Sequence, residues 1–423
     1  MHNDIKDFLS FLDKANSRFT ASEAIIDRLK EAGYQELNEK ESFKLKKAGK
    51  YYIRRMDTAV IAFVLGSKTP SETGFKLAAS HIDSPALKLK TGSFKCNGDV
   101  CRMGVEVYGG PVIHTWLDRE LGVSGRVILK NGKNLEHHII DLKQPLAIIP
   151  NAAIHVNREL NKGFEYNAQN HLQAILSVSA SEGNPLLKLI ADKLNTSVEN
   201  IVAEELYLYD YQKAALIGSD AQMLVSGRLD NLAMTHAILQ GLLQSKKAAH
   251  TSIGIFFDHE EIGSQTPQGA YSALLGEVLE RICIAQGLAK EDYYRALRQS
   301  YMISADMAHA FHPAYAEKYE PDYSPKMNQG IVIKLNANHR YASTAESSSY
   351  FIQLCEAAKV PYQRFLVRSD MPCGSTVGPI LAANLGLNTI DIGNPMWAMH
   401  SIRETCGTED HKSLIKLLSH YYS

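Results

Sequence analysis

The 423-residue chain has no surplus of charge of either sign, with 45 Lys and Arg against 46 Asp and Glu. This balance excludes the broad positive field that recruits nucleic acid or an anionic membrane surface, so neither is expected as a partner. Nor is there an apolar stretch near the roughly 20 residues that a membrane-spanning helix needs. The six cysteines (Cys96, Cys101, Cys283, Cys355, Cys373, Cys406) include no C-x-x-C pair, so reduced, mostly buried thiols are expected rather than a zinc knuckle or a disulfide framework. No G-x-S-x-G elbow supports a serine hydrolase. The loop "PCGSTVGP" lacks the lysine and spacing of a phosphate-binding P-loop and reads better as a pocket wall. Low-complexity tracts are missing too, and 45% hydrophobic with 22% charged residues is the makeup of an ordinary globular protein.

What is present is an alternation of strands and helices. The opening "MHNDIKDFLSFLDKANSRFTAS" sets Ile5, Phe8, Leu9, Phe11 and Leu12 among charges, which predicts an amphipathic helix rather than a signal peptide and hence a cytoplasmic protein. "KYYIRRMDTAVIAFVLG" and "GFKLAASHIDSP" read as strands. From residue 92 to 218 short strand-like pieces are separated by Gly, Asn and Asp turns, suggesting a β-rich insertion. Beyond it, apolar runs such as "TSIGIFF", "SYMISAD", "GIVIKLN" and "NTIDIG" alternate with helical patterns. The expectation is an α/β fold with a mostly parallel sheet sandwiched by helices. Residues 1–91 and 219–423 would form the parent domain and 92–218 the inserted one.

Polar residues recur where these strands end: His81 and Asp83 in "SHIDSP", Asp230 in "GRLDN", Glu260 and Glu261 in "FFDHEEIGSQ", Asp306 in "SADMAH", and His400 in "PMWAMHS". Parallel strands deliver their C-terminal ends to one rim, where residues distant in sequence meet. Mixed histidine and carboxylate ligands suit zinc or a similar divalent ion. Each residue also has an ordinary explanation: Asp230 as a helix N-cap, Asp306 as a turn cap, Glu260 and Glu261 as solvated loop residues, the histidines as core or surface groups. The recurrence favours the metal.

The segments "HIDSPALKLK", "YGGPVIHTWLDRELGVSGRV", "RLDNL", "DHEEIGS", "SYMISADMAHAFHP", "IKLNANHRYAS", "DMPCGSTVGPILA" and "NPMWAMHSIRE" together resemble the aspartyl aminopeptidase family of dinuclear zinc exopeptidases, in order from about residue 75 to 410. The resemblance implies that Asp230 bridges two divalent ions, with His81 and Asp306 completing one site and Glu261 and His400 the other. Zinc is the expected metal, and cobalt or manganese can share such ligands. It implies further that Asp83 orients His81, that Glu260 is the general base and acid, and that peptides with a free N-terminus are cleaved, Asp or Glu being preferred as first residue. Lys334, Tyr341 and His309 match the substrate pocket, although Lys334 alone could equally be an exposed strand-end lysine. His155 resembles a histidine that reaches a partner subunit's site, implying a homo-oligomer of dimers assembled into a dodecamer. One departure stands out, "YGGP" in place of the family's "YGGG", which puts Pro111 in a loop expected to touch no ligand. The alternatives are the same hydrolase with neutral or basic specificity, or a non-catalytic scaffold of the same fold.

Overall fold

The computed structural model describes residues 3–179 and 182–423. Its centre is a nine-stranded mixed sheet. Strands Thr251–Phe257, Phe75–His81, Tyr301–Ala305 and Asn388–Gly393 run parallel side by side. Antiparallel neighbours flank this block, Ala59–Val64 on one side and Ile331–Leu335 on the other. The parallel strands are largely apolar because both faces are covered. Along Ala59–Val64, Val60 and Ala62 face one core while Ile61 and Phe63 face the other. Likewise Phe256 points one way and Ile255 and Phe257 the other, the period-2 alternation of a strand with two buried faces. Each such side chain contributes about 1.5–3 kcal/mol on burial.

The first face carries the N-terminal helices, Leu229–Gln244, Ala345–Ala358 and Thr408–Tyr421; the second carries Leu274–Ala285, Lys290–Gln299 and Val377–Leu385. Leu229–Gln244 packs closely on Thr408–Tyr421 at Gly241, where an added Cβ would stand 2.5 Å from Leu418 Cβ. The amphipathic opening segment forms two helices, Asn3–Lys14 and Arg18–Glu31. They are separated by Ser17, whose side chain and that of Thr20 make a reciprocal capping box. No helix among the described residues is long and apolar enough to cross a membrane.

A second, largely antiparallel sheet has its own core around Leu87, Val123, Leu206 and Ile190. Its strands fall between Ala86 and Asp210, starting slightly before and ending slightly before the 92–218 segment expected to be inserted. The thiol expectation is corrected here, because Cys96 and Cys101 form a disulfide. They stand directly opposite each other across the hairpin of Lys95–Asn97 and Val100–Tyr108. The pairing follows from the two-residue turn Gly98-Asp99, closed by the Asn97 and Val100 pair, where Gly98 has φ 60°, a signal that counting cysteine spacings misses. Cys283, Cys355, Cys373 and Cys406 are free.

Candidate metal centre

Strands Phe75–His81, Thr251–Phe257 and Tyr301–Ala305 end together, delivering His81, the Glu260–Glu261 pair and Asp306 to one rim. Asp230 arrives from the start of Leu229–Gln244, and His400 from the turn after Pro395–Trp397. The backbone curls sharply at the loop entries, with left-handed φ at Arg228 (63°), His259 (63°) and His400 (68°). After His259 the chain enters a short 3-10 turn, Glu260–Ile262. Leaving the extended conformation frees two adjacent glutamates from opposite-facing geometry and lets both approach one centre.

The donor atoms form two overlapping sets on Asp230, His81 with Asp230 and Asp306, and Asp230 with Glu261 and His400, and a third set joins His81, Glu260 and Glu261. His81 Nε2 lies 3.5 Å from Asp306 Oδ2 and 3.7 Å from Asp230 Oδ1. His400 Nε2 lies 3.4 Å from both Asp230 Oδ2 and Glu261 Oε2. These spacings exceed good hydrogen bonds. They match ligand atoms about 2.0–2.1 Å from a common tetrahedral ion, which stand roughly 3.3–3.4 Å apart. Asp230 Oδ1 and Glu261 Oε1 are buried without a hydrogen-bond partner. An orphaned buried carboxylate oxygen costs about 1–3 kcal/mol or more, so cation binding supplies what the protein leaves unmet. The residues present fit divalent ions.

Charge tells the same story. Burial, reinforced by neighbouring carboxylates, pushes Glu260 up to about 8 and Glu261 well above the usual carboxylate range. Asp306 is held below that range: burial opposes its ionisation, but the Lys334 charge and the His81 hydrogen bond prevail. Asp83 is likewise held at about 2 against burial, chiefly by its bond and charge with His81.

Around the donors lies a shell that fixes them. His81 Nδ1 donates to the main-chain oxygen of Asp83 at 3.0 Å, leaving Nε2 free to ligate. The Asp83 carboxylate accepts the backbone N–H of Glu260 (3.1 Å) and of Glu261 (3.2 Å) and the Tyr108 hydroxyl (2.6 Å). Glu404, fully buried and raised to about 8 by burial and the nearby Asp230 charge, accepts the N–H of Asp230 at 3.0 Å and of His400 at 2.7 Å. His400 Nδ1 faces the Gly110 carbonyl at 3.1 Å, and the Val112 N–H donates to the His400 carbonyl. The loop around Pro111 thus does meet a candidate ligand, through Gly110 and Val112. Tyr108, Gly110 and Glu404 were not singled out by sequence reasoning. The block "YGGPVIHTW" and the acidic residue in "HSIRE" were the available signals.

The pocket residues lie near one another, His309 being close enough to Lys334, Asp306 and His400 to feel their charges. Lys334 is buried, donates to Asp306 Oδ1 at 2.8 Å and lies 5.4 Å from the centre of the Tyr341 ring. His309 is exposed, its ring 6.2 Å from that of Phe365. His155 is exposed on the segment between Ile149 and Tyr166, beside Ile154 and Val156, and makes no contact with the donor cluster among the described residues.

The family profile described as "Aminopeptidase I zinc metalloprotease (M18)" matches residues 11–422. A protein of Clostridium novyi named "Probable M18 family aminopeptidase 2" is 42% identical over 433 residues, covering 100% of both chains. A solved structure of an Ape4 and Nbr1 complex superposes with a TM-score of 0.95 at 35% identity, covering 99% of this chain and 85% of that one. The S. cerevesiae mApe1 dodecamer gives a TM-score of 0.87 at 27% identity, covering 99% and 96%.

Proposed function

The chain belongs to the M18 family of zinc aminopeptidases, and from that premise we propose that it removes an N-terminal Asp or Glu from peptides with two divalent ions held by His81, Asp230, Glu261, Asp306 and His400. It is a metal-dependent aminopeptidase of the hydrolase class. The observation that carries the dinuclear reading is the sharing of Asp230 by two donor sets. When bound, the ions polarise the scissile carbonyl and make water a nucleophile at neutral pH; zinc is the metal proposed, with cobalt or manganese as substitutes.

The chain's own residues move the proton. Glu260 belongs to neither set built on Asp230 but joins His81 and Glu261 in the third, its Oε2 4.0 Å from His81 Nε2 and its side chain 19% exposed. It takes the proton of the attacking water and hands it to the departing amine, serving as base and then acid. Asp83 steadies this base by accepting its backbone N–H, while also orienting His81. Lys334, with Tyr341 and His309, forms the wall proposed to recognise an acidic first side chain through charge-assisted hydrogen bonds. A second reading, neutral specificity, is favoured by one observation: Lys334 already spends its charge on Asp306.

The likeness to a dodecamer supports a homo-oligomer of the same kind. The exposed Ile154 and Val156 on either side of His155 fit a segment that docks on a partner subunit, with His155 reaching the neighbouring site. The enzyme is proposed to work in the cytoplasm.

The test is release of the first residue from peptides beginning with Asp, Glu, Leu or Lys, before and after chelation and metal add-back. Chelator-sensitive cleavage favouring Asp and Glu is expected. Preference for Leu leaves the metal centre standing and removes the acidic pocket; no cleavage with any metal favours a scaffold.

A further inference from the structure

Asp83 is the point where both glutamates and His81 meet, and one of its bonds comes from outside the parent domain. Tyr108 ends the strand Val100–Tyr108 of the second sheet, and its hydroxyl reaches Asp83 Oδ2 at 2.6 Å. Asp83 is 1% exposed, so this bond is shielded from competing water. The Tyr108 ring is itself seated. The Arg18 guanidinium lies 5.4 Å from its centroid and 4.7 Å from that of Tyr207, while Tyr207 packs edge-on at 5.9 Å. Arg18 is anchored in turn by Asp258, at 3.2 Å, just before the Glu260 turn. The next residues continue along the centre: an added Cβ on Gly109 would stand 3.2 Å from Glu261 Cβ, and Gly110 and Val112 hold His400.

We propose that Tyr108 is a positioning residue through which the second sheet's domain sets the metal centre, its hydroxyl fixing the Asp83 carboxylate, which holds the Glu260–Glu261 backbone and whose Oδ1 lies 3.3 Å from His81 Nδ1. The 108–112 strap spans both sets built on Asp230, Tyr108 acting on the His81 side and Gly110 on His400. Without the hydroxyl, Asp83 Oδ2 keeps only the Glu261 N–H at 3.2 Å while Oδ1 keeps that of Glu260 at 3.1 Å, so the carboxylate loses its shortest bond and is held less firmly. The consequence falls on turnover and metal retention, because Tyr108 sits behind Asp83 rather than facing substrate. This inference rests on the metal-centre reading above.

The experiment compares wild type with Tyr108→Phe, which removes one oxygen and keeps the ring in its cage. Partners behind metal ligands typically change metal affinity or activity about 10–100-fold, and Tyr108 lies one step further back. We expect zinc release to excess chelator, followed with a chromogenic zinc indicator, to quicken about 3- to 10-fold. The kcat should fall by a similar factor with KM changed less than about twofold, and the chelated protein should melt as wild type does. Tyr209→Phe is the control, since that hydroxyl bonds Asp141 within the second sheet at 2.9 Å; it should alter neither readout. Zinc release and kcat at wild-type values in Tyr108→Phe overturn the inference. Should Tyr108→Phe fail to fold, Arg18→Lys, which loosens the ring's seat but keeps the hydroxyl, decides: faster zinc release supports the proposal and unchanged release sinks it. If wild type itself is indifferent to chelation, the metal reading has failed, a result distinct from wild type losing zinc while the variant loses it no faster.

Discussion

The two halves of the candidate centre are built differently. His81 and Asp306 stand directly at the ends of adjacent parallel strands, with side chains 2% and 13% exposed, and both are tied by charged partners, Asp83 and Lys334. Glu261 and His400 stand on turns, and the His400 side chain is 31% exposed. That second half is held by hydrogen bonds from Glu404 and from the 108–112 loop. The contrast teaches where rigidity comes from. A strand end inherits the sheet's order, whereas a turn must borrow it from neighbouring loops.

The largest effect should come from breaking what the halves share. Asp230→Ala leaves each of the two sets it joins with two members, and we expect metal content near zero and activity at background, read by elemental analysis beside a peptide assay. Glu260→Gln removes proton transfer without a carboxylate of either Asp230 set. Turnover should drop about 10²–10⁴-fold at wild-type metal content; a parallel loss of metal would mean that Glu260 is a ligand. His400→Ala sharpens the contrast itself. It should lose one bound ion and keep the other, and wild type should release zinc in two phases, the ion on the exposed half leaving first. A single phase would show the halves to be equivalent.

The smallest expected effect lies away from the centre. Asp7, on the helix Asn3–Lys14, accepts from His236 at 2.9 Å and pairs with Arg28 at 3.0 Å. The His236 hydrogen bond, opposed by burial and helped by Arg28, holds its carboxyl at about 2. A carboxyl depressed below the unfolded value near ~3.9 stabilises the fold fully above that value, and the contribution is lost as pH falls through about 2. Asp7→Asn should therefore lower the melting temperature modestly at pH 6, with the gap to wild type closing as pH drops from 5 towards 2. Because the Asp7 side chain is 39% exposed, solvent screening keeps the effect small. Metal content should not change.

Much of the parent fold was legible. "TSIGIFF" and "NTIDIG" are short runs dominated by apolar and β-branched residues, as doubly covered strands tend to be, and they form Thr251–Phe257 and Asn388–Gly393. The strand Ile331–Leu335 runs antiparallel to Asn388–Gly393 and parallel to Tyr362–Leu366, within a sheet that is mostly parallel as expected. Strand direction depends on connections rather than composition. "EDYYRALRQ", mostly polar with an apolar side restricted to Tyr293, Ala296 and Leu297, was passed over as a helix and forms Lys290–Gln299. At the centre, the residues named at strand ends are those the fold gathers, because the end of an apolar run is visible locally. Tyr108 and Glu404 were not, since their partners Asp83, Asp230 and His400 reach them only through the docking of separate strands and turns.

The sequence by itself determined the alternation of strands and helices, the kinds of donor at the strand ends, and a family resemblance spread over most of the chain. These are local properties, set by periodicity and residue type. Only the tertiary structure decided that Asp230 serves two donor sets, that Lys334 bonds Asp306, that Cys96 faces Cys101 across a hairpin, and that a tyrosine from the second sheet holds Asp83. Each depends on bringing side chains into register through the pairing of strands and the docking of two sheets. Glu404 and the Asp230 backbone it accepts from are 174 positions apart, and no pattern along the chain fixes a contact that only packing creates.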